Sequence, residues 1–261
     1  MITDGTGARQ DHPLYVALGD SISIDWYAGG PGRGGASLLA RNRDDDFPEW
    51  RGRDLATVLP GLEFALLATD GGTTRGLLQA QLPRLRAMPT RPSIVTVTIG
   101  GNDVLQAYGR TRRALKIVRD VHRRTDEALG RVRELTASPD APIVVGTVYD
   151  PSDGTADAGK VGLPRWRELV EVLATLNDAL RAVAHEHGAR VAPIAERFFG
   201  HGLAAGNPGS GEARPANRNL WYCNVIEPNA WGADGVRAAF WEALGGDALL
   251  DGSGRQADAG R

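Results

Sequence analysis

Leu14-Tyr15-Val16-Ala17-Leu18, followed at once by Gly19-Asp20-Ser21, is an apolar run ended by a turn. The same arrangement recurs along the chain. Leu62–Ala68 stops at Asp70-Gly71-Gly72, Ile94–Ile99 at Gly100-Gly101-Asn102-Asp103, and Ile143–Val148 at Asp150-Pro151; a weaker run spans Arg190–Ile194. Runs that are apolar throughout, each closed by turn residues, suit parallel strands buried on both faces. Between them lie helical patterns near Arg75–Arg86, Arg110–Thr136, Pro164–His187 and Asn229–Leu244. In the second, Val118, Val121, Leu129 and Val132 recur at helical spacing while arginines fill the other face. Pro164 and Asn229 suit helix starts. Alternating β and α elements predict right-handed crossovers and an α/β fold: a doubly wound, flavodoxin-like three-layer α/β/α sandwich on a five-stranded parallel sheet. One domain is expected over residues 12–250, with flexible tails at 1–11 and 251–261.

Composition narrows the function. The chain has 261 residues, 42% hydrophobic and 24% charged, enough apolar content to exclude a disordered chain. Thirty Lys+Arg against 32 Asp+Glu give a net charge of -2, so no global field draws the protein to nucleic acid or lipid. The single cysteine, Cys223, permits neither an internal disulfide nor a cysteine zinc site. Met1–Asp11 lacks the layout of a signal peptide, and no apolar stretch approaches the ~20 residues of a membrane span. A cytoplasmic protein is expected, acting on a small molecule, with no nucleic acid, membrane, metal or cofactor.

In doubly wound folds ligands gather beyond the carboxyl ends of the strands. That rim would hold Asp20 and Ser21, Asp70 and Gly71, Asn102 and Asp103. In order and in strand placement, Gly19-Asp20-Ser21-Ile22-Ser23, Gly71 and Gly100-Gly101-Asn102-Asp103 resemble the first three blocks of the GDSL, or SGNH, hydrolase superfamily. The resemblance implies that Ser21 is a nucleophile. It also implies that the Ser21 and Gly71 backbone N–H groups and the Asn102 side-chain amide form an oxyanion hole. Asp20 and Asp103 would support these residues. Such chemistry needs donors aimed at a developing oxyanion, and one of them is worth ~3–4 kcal/mol.

The fourth block departs from the family pattern of Asp-x-x-His followed by Pro. Here it reads Asn224-Val225-Ile226-Glu227-Pro228, with Glu227 in the place of the general-base histidine and Asn224 in that of its aspartate. The two changes fit each other. A histidine base needs an acidic partner, whereas a glutamate base is better served by an amide that donates to it. A Ser21–Glu227 dyad is therefore expected, with Asn224 orienting Glu227 and His201, after the fifth strand, as the reserve base. The implied activity is ester hydrolysis, on an O-acyl group of a carbohydrate or small metabolite. An acyltransferase using the same acyl-enzyme, or a ligand-binding relative without catalysis, is the alternative.

Other signals carry less. Gly30–Gly35 has dinucleotide-binding glycine spacing but lies too far past the first strand; it either lines the cleft or merely connects. His185-Glu186-His187 lacks the spacing of a metal pair. Asp44-Asp45-Asp46 reads as a solvated turn. Trp26, Tyr27, Trp221 and Tyr222 flank the Ser21 and Glu227 segments, as pocket wall or as core rim.

Overall fold

The structure, a computed structural model, describes residues 12–250; the tails expected at 1–11 and 251–261 lie outside the described residues. Five parallel strands form the main sheet in the order β2-β1-β3-β4-β5. They are β1 (Leu14–Gly19), β2 (Glu63–Leu66), β3 (Ile94–Thr98), β4 (Ile143–Gly146) and β5 (Arg190–Ala192). This is the doubly wound order expected, with the switch point between β1 and β3.

The helices are α1 (Gly35–Ala40), α2 (Leu55–Val58), α3 (Thr74–Gly76), α4 (Leu82–Arg86), α5 (Gly101–Leu105), α6 (Thr111–Leu135), α7 (Leu169–Glu186), α8 (Ile194–Phe198) and α9 (Ala230–Leu244). Strand side chains alternate between two cores. Val16, Leu18, Val95, Val97 and Val145 pack towards α6 and α7, while Tyr15, Ala17, Ile94 and Val144 pack towards α1 and α9. Helix α6 buries Ala114, Val118, Val121, Thr125, Ala128, Leu129 and Val132, the stripe its sequence period predicts.

Several boundaries differ from the sequence reading. Helix α7 begins at Leu169 and not at Pro164, because the intervening residues serve other partners. The Pro164 carbonyl accepts from the Tyr108 hydroxyl at 2.8 Å, and buried Trp166 donates from its indole to the Thr111 hydroxyl at 2.9 Å. Strand β5 stops at Ala192, since Pro193 has no N–H for the ladder and α8 starts directly after it. The helix expected over 75–86 is interrupted by a π-helical turn, Leu77–Gln81. Pro83, in the first turn of α4, cannot donate to the carbonyl four residues back, and the widened turn accommodates it.

Asp44-Asp45-Asp46 is not simply solvated. Asp46 is paired with Arg33, Arg43 and Arg214, which hold its carboxyl below the usual range against partial burial. The Gly30–Gly35 stretch is a packed connection. Asp25 accepts from the Gly32 and Gly34 N–H groups, and a Cβ at Gly34 would lie 2.2 Å from the Ile24 carbonyl oxygen.

Candidate active site

Ser21 sits in the turn that ends β1, and the backbone there leaves no room for alternatives. Gly19 has φ +119°, and a Cβ on it would lie 1.9 Å from the Thr98 carbonyl oxygen at the end of β3. Asp20 N–H donates to that same oxygen at 2.9 Å. The Asp20 carboxylate accepts from Ile22 N–H at 3.2 Å and is 1% exposed. Burial pushes its pKa up to about 8, against the opposing pull of the Thr98 side chain and the Ile22 amide; nearby Glu227 and Asp103 push it further up. The Ser23 hydroxyl meets Thr98 Oγ1 at 2.9 Å, so the whole turn is fastened to β3.

Three hydrogen-bond donors belong to this rim. The backbone N–H groups of Ser21 and Gly71 donate to no other group among the described residues. Gly71 has φ +63°, a left-handed conformation that glycine adopts without strain. Gly72 follows it tightly against the nucleophile turn, where an added Cβ would come 2.3 Å from the Gly19 carbonyl oxygen. The third donor is Asn102 Nδ2, which gives one hydrogen to the Gly72 carbonyl at 3.0 Å and keeps its second. Asp103 fixes the same junction: its carboxylate accepts from Thr74 N–H at 2.9 Å and from the Thr74 hydroxyl at 2.7 Å. Arg124, on α6, stands 3.7 Å from it. The β2 and β3 ends are thus tied to each other as well as to β1.

Glu227 reaches this rim from the far end of the chain. It lies in a small antiparallel hairpin of β6 (Tyr222–Cys223) and β7 (Glu227–Pro228). Asn229 anchors the hairpin. Its Nδ2 donates to the Leu220 and Tyr222 carbonyls at 2.6 and 3.2 Å, while its Oδ1 caps α9 by accepting from Trp231 and Gly232. The Glu227 side chain is 8% exposed, and Oε2 finds no hydrogen-bond partner among the described residues. Burial raises its pKa above the ordinary glutamate range; the Ser21 hydroxyl facing it pulls the value back, and the charge of Asp70 pushes it up. A carboxylate held this way, beside a serine hydroxyl, is a stronger proton acceptor than a solvated glutamate.

Residues 17–233 match the sequence profile of the GDSL-like Lipase/Acylhydrolase family. The chain belongs to this family. Solved structures share the GDSL-like fold over most of their length. A phospholipase A1 from Streptomyces albidoflavus NA297 is 23% identical with a TM-score of 0.57, covering 89% of this chain and 99% of its own. An extracellular lipase from Streptomyces rimosus is 22% identical with a TM-score of 0.56, covering 88% and 99%. A variant of an acetyl xylan esterase from Geobacillus stearothermophilus is 16% identical with a TM-score of 0.58, covering 89% and 94%. Among curated proteins, none matches.

Within this GDSL-like rim the structure brings Ser21, Gly71, Asn102 and Glu227 together, but not Asn224. Asn224 was expected to orient Glu227. Its backbone is left-handed, at φ +48°, its N–H donates to the Ser210 carbonyl, and its side chain is exposed. It makes no hydrogen bond to Glu227. His201 is stacked on Trp221 with ring centroids 3.7 Å apart, and its Nδ1 meets the Asn219 carbonyl oxygen at 2.8 Å. That leaves the reserve base committed to packing. Of the flanking aromatics, Tyr222 is fully buried in the core, and Trp26 is 73% exposed and stacked on Tyr27. The Tyr27 hydroxyl donates to Asp70 at 3.1 Å.

Sequence reasoning missed Gln81 and Thr98. Gln81 Nε2 donates to the Gly19 carbonyl and its Oε1 accepts from Gly19 N–H, both at 2.7 Å, satisfying both polar groups of the residue two before Ser21. A glutamine next to a proline-interrupted helix was the available signal, since π turns recur at functional sites. Among the described residues no group of three or more His, Cys, Asp or Glu side chains is placed to hold a metal ion. No helix of the described residues is long and apolar enough to cross a membrane.

Proposed function

We propose that this chain is a serine hydrolase that cleaves an ester through an acyl-enzyme on Ser21, with Glu227 as the base. The observation that carries the reading is the meeting of one serine with unpaired Ser21 and Gly71 N–H groups, the Asn102 amide and a buried carboxylate lacking a partner at Oε2. Ser21 Oγ attacks the ester carbonyl as its proton passes to Glu227. The oxyanion forms against Ser21 N–H, Gly71 N–H and Asn102 Nδ2. The tetrahedral intermediate collapses, and the departing alcohol takes the proton from Glu227. Water then attacks the acyl-enzyme, Glu227 again accepting and returning the proton, and a carboxylic acid leaves. Asp20 and Asp103 act by holding the turn and the strand-end junction.

The alcohol portion of the ester is assigned to a carbohydrate or other small metabolite. The exposed Trp26, stacked on Tyr27, offers it an aromatic face. Membership of an acylhydrolase family supports the reaction class, and the names of the lipase, phospholipase and esterase neighbours are in keeping with it. The test is a fluorophosphonate probe followed by peptide mapping, alongside ester turnover. Wild type should be labelled on Ser21 and turn over simple esters. Ser21→Ala should be folded, unlabelled and inactive; a folded Ser21→Ala protein with full turnover refutes the assignment.

A further inference from the structure

A cavity of about 90 Å³ lies against Ser21 and Asn102 and runs under the segments around residues 150–165. Its wall is built by Val104, Leu105, Val148, Leu163, Trp166 and Leu173, among other apolar residues. The remaining polar groups in the wall are turned to partners of their own. The Tyr108 hydroxyl donates to the Pro164 carbonyl, and the Tyr149 hydroxyl to the Ile226 carbonyl. Asp150 accepts from the Ser152 and Gly154 N–H groups, and the Ser152 hydroxyl accepts from Ala156 N–H. Asp20 is occupied by Ile22. A molecule entering this space therefore meets polarity at one end, at Ser21 and Asn102, and hydrocarbon beyond. Glu227 does not contribute to the wall.

We infer that this cavity is the acyl-chain pocket of the ester substrate and takes an unbranched acyl group longer than acetyl and shorter than palmitoyl. The inference rests on the hydrolase reading and adds to it the side of the ester that the enzyme selects. Its polarity is what an acyl group presents: a carbonyl at the nucleophile and an alkyl chain behind it. An acetyl group leaves most of the wall without contacts, and a palmitoyl chain exceeds the space.

Chain-length selectivity measured on p-nitrophenyl esters from acetate to palmitate tests the inference. Values of kcat/KM should climb by about fourfold per methylene, the value of one buried CH₂, peak at a chain between acetate and palmitate, and drop for longer chains. Leu173→Trp, which fills the cavity from α7, should lower the octanoate-to-acetate ratio at least tenfold and move the optimum to shorter chains. Val161→Trp does the same from the 3₁₀ turn Gly159–Val161, which also lines the cavity, and stands in if Leu173→Trp fails to fold. Acetate as the best substrate, or a profile that neither folded tryptophan variant moves, overturns the pocket assignment while Ser21 labelling leaves the hydrolase reading intact. Absence of both labelling and turnover on every ester overturns the two together.

Discussion

Glu227 is the residue on which the chemistry turns, and its setting makes a pH prediction. Because burial holds its pKa above the ordinary glutamate range, the carboxylate is ionised, and able to accept a proton, only above that raised value. Activity should fall as pH drops through it, so the acid limb of kcat/KM should lie above the ~4.3 of a free glutamate. Glu227→Gln keeps the shape and removes the acceptor; turnover should fall ~10²–10⁴-fold and the acid limb should vanish. His201→Ala should stay active, since His201 stacks on Trp221. A dead His201→Ala with an active Glu227→Gln would move the base. Asn102→Ala should lower kcat by ~10²–10³ with less change in KM. A loss confined to KM would make the amide a ground-state contact.

At the scale of elements, the π turn Leu77–Gln81 is a device for aiming one side chain. It delivers Gln81 to both polar groups of buried Gly19. Gln81→Leu should leave the Gly19 N–H unsatisfied, a cost of ~1–3 kcal/mol, while Thr69 N–H still donates to the Gly19 carbonyl at 3.1 Å. Urea denaturation reads that loss directly, and an unchanged midpoint would show that Gly19 finds other partners. Such contacts explain what could and could not be read in advance. The inner strands β1, β3 and β4 were legible because each is buried along its whole length and ends in a turn, whereas the edge strand β5, three residues opening on exposed Arg190, gave only a weak run. Ser21, Gly71 and Asn102 were legible because chain order alone puts strand ends on one rim. Gln81 was not, because its partner is 62 residues away and reachable only through a widened turn that Pro83 imposes. Asn224 was misread because spacing cannot reveal a left-handed backbone that turns the side chain to solvent. The short helices α1, α2, α5 and α8 are too brief to show a period. The acyl cavity gathers residues from many separate segments.

Across the whole molecule, the buried acids of the rim set how stability depends on pH. Asp20 titrates near 8 in the fold and near 3.8 when unfolded. Between these values the unfolded chain has lost a proton that the native state still holds, so stability declines as pH rises from about 4 to about 8 and then levels. Glu227 contributes in the same direction. Asp20→Asn keeps an acceptor for Ile22 N–H and removes the titration. Its thermal midpoint should exceed wild type at pH 8, with the difference shrinking towards pH 4. An equal slope in both proteins would show that Asp20 is ionised throughout.

The sheet order has a consequence for synthesis. Strand β1 is made first yet lies inside the sheet, with β3 along one edge and β2 along the other. Tyr15 must wait for Ile94, about 80 residues later, before that edge closes. At a ribosomal pace of ~5–20 residues per second the wait is about 4–16 s. For those seconds Leu14–Leu18 is an apolar strand with an open hydrogen-bonding edge, the kind of segment that pairs with a neighbouring nascent chain. Polysomes crowded with this message would expose many such edges at once. Soluble yield should therefore fall with initiation rate and recover when a holdase chaperone is supplied during translation.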